Sequence, residues 1–439
     1  MYPTSYKNFL SFYINYILDL LIFTLYPINY KRFLGGGDMM NRQHIGILFG
    51  GVLLLVVAMG ISRFAFTPIL PFMRHDVGFS FEVAGFLASS NYIGYFIGAL
   101  WAGFINRQKK NFLLLSVVLN VLSVVLMGII EIYSVWLVLR LIAGITGGLI
   151  FVLTCSIIMD YLAKHSLTRW SGYLFGGIGL GIAISGLLVP AIEARFAWQG
   201  TWIGLGILSA VFLVITFILW RGLHVQDSVK SAKSSDAKMT TGFMPWLIVA
   251  YGFEGLGYII TGTFLVDIIH NIPSLQAYSS YSWVIVGVAA IPSAPVWTVL
   301  LEKFSAIKIL FVAYVLQVLG ILLPVFSQTV WSVLLSSFLF GLTFVGIVTL
   351  TTSYARQLFP TQSGAVVSLL TTFYAFGQII GPIIAGQLVA VYSSYKAALV
   401  FAGVIVFFAL IVMLCGRWIT VKRQAPLDNA LPIKTQSSP

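Results

Sequence analysis

Charge is what this sequence of 439 residues has least of: Asp, Glu, Lys and Arg together make up 9% of it, against about a quarter in a soluble domain. A chain so poor in charge cannot cover a water-facing surface. With 59% hydrophobic residues and a mean hydropathy of +0.97, it reads as an integral membrane protein. Cysteine is scarce too. Cys155 and Cys415 both lie in apolar runs, with no metal-type spacing, so neither a disulfide framework nor a zinc site is indicated. Acidic residues are half as frequent as basic ones, 13 against 25, which gives a net charge of +12. That excess needs no nucleic-acid partner, because membrane proteins collect Lys and Arg in their cytoplasmic loops. There is no nucleophile elbow, no HExxH and no pair of carboxylates suited to hydrolysis. The sequence points to no enzyme, no metal and no bound cofactor.

What is present is a series of apolar runs. From residue 44 onward, twelve segments of the length a bilayer core requires, about 20 residues, alternate with short polar breaks. Each is expected to be a helix, since an open strand leaves its backbone unpaired in lipid. Residues 221–243, RGLHVQDSVKSAKSSDAKMTTGF, form the longest polar interruption and read as a linker between halves at 39–220 and 244–416, with a tail at 417–439. The halves look like repeats. GLIFV at 148–152 recurs as GLTFV at 341–345, and Gly177, Gly181 and Gly186 recur as Gly377, Gly381 and Gly386. Such a parallel duplication is a known transporter architecture. Small-xxx-small spacings such as Gly177/Gly181 allow close helix approach, and no strand precedes them, so packing is the reading and dinucleotide binding is not.

Only Arg74, Arg195 and Lys396 fall on one side of the predicted spans. The other basic residues outside the spans, Lys7 apart, fall on the opposite side, which places both termini in the cytoplasm.

Three normally charged side chains lie well inside the predicted spans: Arg63, Arg140 and Glu254. At about 1.5 Å per residue, Arg63 is roughly 12 Å below one boundary and Glu254 roughly 15 Å above the other, both near the midplane. An ionisable group there is expensive and points to function. For Arg63, in GISRFAFTPILPFM, the alternative is structural: a guanidinium bonded to carbonyls that Pro68 leaves unpaired. Tyr251, Glu254, Tyr258 and Thr261 share one helix face, the pattern of a helix lining a wet cavity, where Glu254 could carry a proton or be hydrogen-bonded to a neighbouring helix. Asn91 and Tyr95, one turn apart, either hydrogen-bond a solute or glue helices together, and Gln317, Tyr374 and Gln378 are similar candidates. Aligning Gly60 with Gly255 sets Tyr258 opposite Arg63 with Glu254 one turn away, so Arg63 is expected to bind an anionic group of the solute, or to pair with Glu254 when none is bound. Pro68 and Pro71 are expected to end the first helix and form a gate.

The chain from about residue 40 to 417 resembles the major facilitator superfamily. GFINRQKK at 103–110 is similar to its cytoplasmic loop motif, with Gly103, Arg107 and Lys110 matching, Asn106 where an acidic residue is usual and Lys109 where a glycine is usual. RLIAGITGG resembles its R-x-x-x-G motif at Arg140 and Gly144, and the resemblance implies a part in proton coupling for Arg140. The Gly-Pro pair of its antiporters stands not in the fifth span, where Pro190 is displaced, but in the eleventh, at Gly381 and Pro382. The first span resembles a bacterial subgroup marked by G-x-G-R-F-x-Y-T-P-x-L-P, with Ser62 and Phe66 departing from it. The resemblance implies an all-α membrane protein of twelve helices in two six-helix repeats, a secondary transporter of a small solute in a bacterial inner membrane, with protons as a candidate coupling ion. Two other functions stay open: efflux of amphipathic drugs, and a receptor or assembly factor on the same fold. Residues 1–38 contain an apolar run, FLSFYINYILDLLIFTLY, followed by GGGDMM, which is what a purine-rich ribosome-binding site would encode in frame; they are expected to be a start-site artefact.

Overall fold

The computed structural model describes residues 41–105, 107–223, 225 and 242–428. Residues 1–38, Asn106, most of the expected linker and the end of the expected tail lie outside the described residues. Every regular element among those described is helical, as the bilayer demands of a backbone with no water to bond. In chain order the spans are α1 (Arg42–Val77), α2 (Phe81–Ala102), α3 (Lys109–Met127) and α4 (Tyr133–Lys164). A helix of 49 residues, Ser171–Leu219, follows. At about 1.5 Å per residue it would run roughly 74 Å, more than twice a bilayer core. It turns at Ala197, whose φ of 53° and ψ of −172° are not helical, and so supplies two spans, α5 (171–196) and α6 (198–219). The second half contains α7 (Met244–His270), α8 (Gln276–Lys303, bent by 42° at residues 291–292), α9 (Ala306–Phe326), α10 (Val330–Leu358), α11 (Ser363–Tyr392) and α12 (Tyr395–Asp428).

The first span departs from expectation. Pro68 and Pro71 do not end it. It is α-helical over Arg42–Leu55, π-helical over Val56–Ile61, turns through 62–65, and resumes as an α-helix over Phe66–Val77 that contains both prolines. Pro68 falls in the first turn of the resumed helix, where a missing N–H costs little. The break therefore lies before the prolines, and Arg63 sits in it. Gly78, with a φ of 77°, ends the span in the left-handed conformation that favours glycine.

The glycines of the two halves do matching work. A Cβ on Gly60 would lie 2.3 Å from the Cα of Gly181, so α1 and α5 cross backbone to backbone. In the second half a Cβ on Gly377 would lie 2.3 Å from the Gly252 carbonyl, and one on Gly381 2.7 Å from that of Leu256, which brings α11 equally close to α7. Gly177 meets the Val52 carbonyl in the same way. These crossings set the distance at which side chains from α1 and α7 face the centre.

Candidate transport site

Arg63 is 3% exposed. Its guanidinium carbon lies 4.7 Å from the ring centre of Tyr92 and 4.4 Å from that of Tyr95, both on α2, and 5.4 Å from that of Phe64. Cation–π contacts of this kind gain strength when water is excluded. Nε and Nη2 of Arg63 have no hydrogen-bond partner among the described residues. These are the two donors on one edge of the guanidinium, the pair that meets a carboxylate side-on. The structural alternative, a guanidinium bonded to carbonyls, describes Arg140 better, although its Nη2 has no hydrogen-bond partner among the described residues. Its Nη1 donates to the Ser62 carbonyl at 2.9 Å and its Nε to the Leu87 carbonyl at 3.4 Å, with Phe66 under the guanidinium at 4.6 Å. Arg140 thus ties the broken turn of α1 to α2 and α4.

Asn120, buried on α3, adds to that knot. Its Nδ2 lies within bonding distance of Ser62 Oγ at 2.9 Å, Thr146 Oγ1 at 2.9 Å and the Ala143 carbonyl at 3.1 Å. Asn91 belongs to the same structure, its Nδ2 donating to the Arg140 carbonyl at 3.1 Å. Replacing Arg140 by alanine removes its bonds to the Ser62 and Leu87 carbonyls, and a hydrogen bond to a charged group contributes about 1.5–3 kcal/mol. The variant is expected to unfold in detergent at clearly lower temperature than wild type, as read by tryptophan fluorescence. An unchanged unfolding temperature would show that these bonds carry no stability.

Across the centre, the polar face of α7 turns toward α9, α10 and α11. Glu254 is fully buried, and its Oε1 accepts from Gln317 Nε2 at 3.0 Å, while Oε2 has no hydrogen-bond partner among the described residues. Tyr251 stacks on Tyr374 at 4.3 Å, and Tyr258 stacks on Tyr374 at 5.4 Å and on Phe344 at 6.0 Å. Gln378 donates to the Tyr258 hydroxyl. Thr261 is buried, and its hydroxyl has no hydrogen-bond partner among the described residues. Phe64 joins the two sides, 6.1 Å edge-on to Phe344 and 6.3 Å from Trp283.

Arg63 and Glu254 are not among the ion pairs of the described residues, which corrects the expected pairing. The reason is local: the Arg63 guanidinium is held against the tyrosines of α2, while Glu254 is turned to Gln317 on α9.

Sequence reasoning passed over a second charged cluster. Arg74 Nη1 meets Asp267 Oδ2 at 2.7 Å, joining the ends of α1 and α7, and Tyr395 of α12 donates to the same carboxylate oxygen at 3.1 Å. Asn271 donates to the Tyr395 hydroxyl at 2.9 Å, and Arg74 lies 3.3 Å from the ring centre of Phe81. Nearer the centre, Thr67 Oγ1 donates to the Gly262 carbonyl at 2.6 Å, Ser89 Oγ to that of Ile379 at 2.7 Å, and the Tyr92 hydroxyl meets Thr263 Oγ1 at 3.0 Å. The two halves are stitched together at this end. Asp267 stands near a span end, where an acid is unremarkable; only the separation of 193 residues closed by its bond to Arg74 marks it.

In the α2–α3 loop, Gly103 caps α2 and Lys110 Nζ reaches the Trp220 carbonyl at 3.5 Å, while Arg107 is exposed. Lys109, where the resembling motif has glycine, is buried and meets Ser156 at 2.9 Å and Asp160 at 3.9 Å on α4. Pro382 packs so that a Cβ on Gly85 would lie 2.5 Å from its carbonyl. No cluster of three or more metal-ligating side chains occurs among the described residues.

Among the described residues, twelve helical spans in two halves, with buried polar groups converging between them, define a membrane carrier. The chain belongs to the family described as uncharacterised MFS-type transporter YbfB, whose model matches residues 55–414. It is 26% identical over 327 residues to the multidrug resistance protein MdtG of Salmonella choleraesuis, covering 71% of this chain and 79% of the relative. MdtG of Salmonella schwarzengrund is 26% identical over 326 residues, with the same shares covered. Among solved structures, the nucleoside transporter NupG superposes with a TM-score of 0.65 at 13% identity, over 86% of this chain and 98% of that one. At that identity the likeness shows the fold alone. The protein is a multi-pass membrane transporter of the major facilitator type, not an enzyme.

Proposed function

We propose that this transporter moves a small organic anion across a bacterial inner membrane, coupled to protons, by alternating access. The observation that carries the reading is Arg63: a buried cation in a broken span with two donors unpartnered. An uncompensated charge at bilayer depth is costly, and an anionic group that pairs with it offsets that cost. Glu254 is the proton carrier, because its carboxyl is buried on the facing half with one oxygen unbonded. Residues 39–220 and 244–416 rock against each other about the linker 221–243, with both termini and the tail 417–439 in the cytoplasm.

In proteoliposomes, Glu254→Gln is expected to keep exchange of labelled solute while losing accumulation driven by a pH gradient. Gradient-driven accumulation equal to wild type would rule Glu254 out as the carrier. A second reading is efflux of amphipathic compounds. It is favoured by the row of aromatic rings beside Arg63 and by the name of the MdtG relatives. Transport of lipophilic cations that is indifferent to Arg63 would select it.

A further inference from the structure

The site holds more than a charge. The near-parallel rings of Tyr251, Tyr374 and Tyr258 form a row that ends in a triangle of Tyr258, Phe344 and Phe340. Successive planes lie at 19°, 15°, 7° and 16°, with centres 4.3 to 6.0 Å apart. The row spans α7, α10 and α11. Phe64 abuts Phe344 and brings the row to the Arg63 guanidinium, which rests in turn on Tyr92 and Tyr95. Near-parallel rings at these separations are offset-stacked pairs; a run of such faces in the middle of a membrane suits a flat π-system.

Resting on the reading of Arg63 as the anion site, we infer that the solute is an aromatic carboxylate. Its carboxylate takes the Nε and Nη2 edge of Arg63 in two parallel hydrogen bonds, and its ring system lies along the aromatic row. The guanidinium geometry favours a planar, two-oxygen anion over a halide or a single alkoxide. The rings favour a planar body over a saturated one of equal size, since a stacked pair adds affinity beyond area burial. Arg63 is positioned for this by the π-helical segment of α1, which sets its side chain against α2 while the knot of Arg140 and Asn120 holds the turn.

The test is isothermal titration calorimetry of the detergent-purified protein. The probes are 1-naphthoate, its saturated decahydro analogue, 1-naphthamide and tetraphenylphosphonium. Wild type is expected to bind 1-naphthoate about five- to tenfold more tightly than the decahydro acid, and to bind the amide at least tenfold more weakly. Arg63→Lys keeps the charge but not the paired edge, and Tyr258→Leu removes a ring but not the charge. The first is expected to lose most of the carboxylate affinity, and the second to lose the preference for the flat ring. Each variant is compared only if it elutes as a single species and unfolds cooperatively. Equal affinity for the flat and saturated acids overturns the aromatic inference and leaves the anion reading standing. Binding of tetraphenylphosphonium with no binding of either acid overturns both. Naphthoate affinity unchanged in both folded variants places the acid elsewhere and overturns the inference, as does failure of all four probes to bind.

Discussion

Replacing Arg74 by alanine, or Asp267 by asparagine, is expected to open the end of the bundle that this pair holds shut. Asp267 is 1% and Arg74 16% exposed in their side chains, so water screens the bond little. The pair is reinforced by Tyr395 and by Asn271, which donates both to Asp267 Oδ1 at 3.1 Å and to the Tyr395 hydroxyl. Breaking one side of such a pair costs about 3 kcal/mol or more when the partner charge stays buried. The cost falls on the conformation in which the pair is made, and an opening that wets the leftover charge escapes it. A shift of about 3 kcal/mol moves a two-state population roughly a hundredfold. The measurement is the distance between spin labels at Arg195→Cys and Ser274→Cys, both exposed and on opposite halves, with Cys155 and Cys415 replaced by serine. Wild type should show mainly the short distance, and Arg74→Ala should gain a longer one. An unchanged distribution would mean that the pair does not keep this end closed. The double variant Arg74→Asp/Asp267→Arg is expected to restore the short distance in part.

Arg63→Ala is expected to abolish transport while leaving the protein folded. The guanidinium has no protein hydrogen bond at Nε or Nη2 to lose, so truncation removes a buried cation without stranding partners, apart from the rings of Tyr92 and Tyr95. A charge-assisted bond is worth about 1.5–3 kcal/mol, so losing two of them costs a hundredfold or more in solute affinity, approximately. Uptake of labelled solute into proteoliposomes should fall accordingly, and the unfolding temperature should hold or rise. The contrast is Arg140→Ala, where stability falls. If Arg63→Ala and Glu254→Gln both transport as wild type does, the site lies elsewhere.

Composition and the length of the apolar runs were enough to read the twelve helical spans of the described residues, because a bilayer admits few other backbones, and to set Arg63 and Glu254 deep in them. The glycine repeats were likewise legible: where two helices touch backbone to backbone, as at Gly60 and Gly181, only the smallest residue fits, so the packing leaves a mark on the sequence. What the polar groups meet was decided by tertiary structure. Aligning Gly60 with Gly255 sets Arg63 near Glu254, but that alignment takes both helices as regular, and the π-helical turns at Val56–Ile61 and the break at 62–65 change the register of α1. One residue of slip turns a side chain by about 100° around the helix. Arg63 consequently faces the tyrosines of α2, and the freed turn takes Arg140, whose motif had implied coupling. Asp267 and Arg74 look like ordinary charges at helix ends until α1 and α7 are set side by side. Helix spacing and depth follow from local composition, which the chain carries residue by residue. Partners 193 residues apart follow from how each helix is rotated, and that is settled only when all of them pack.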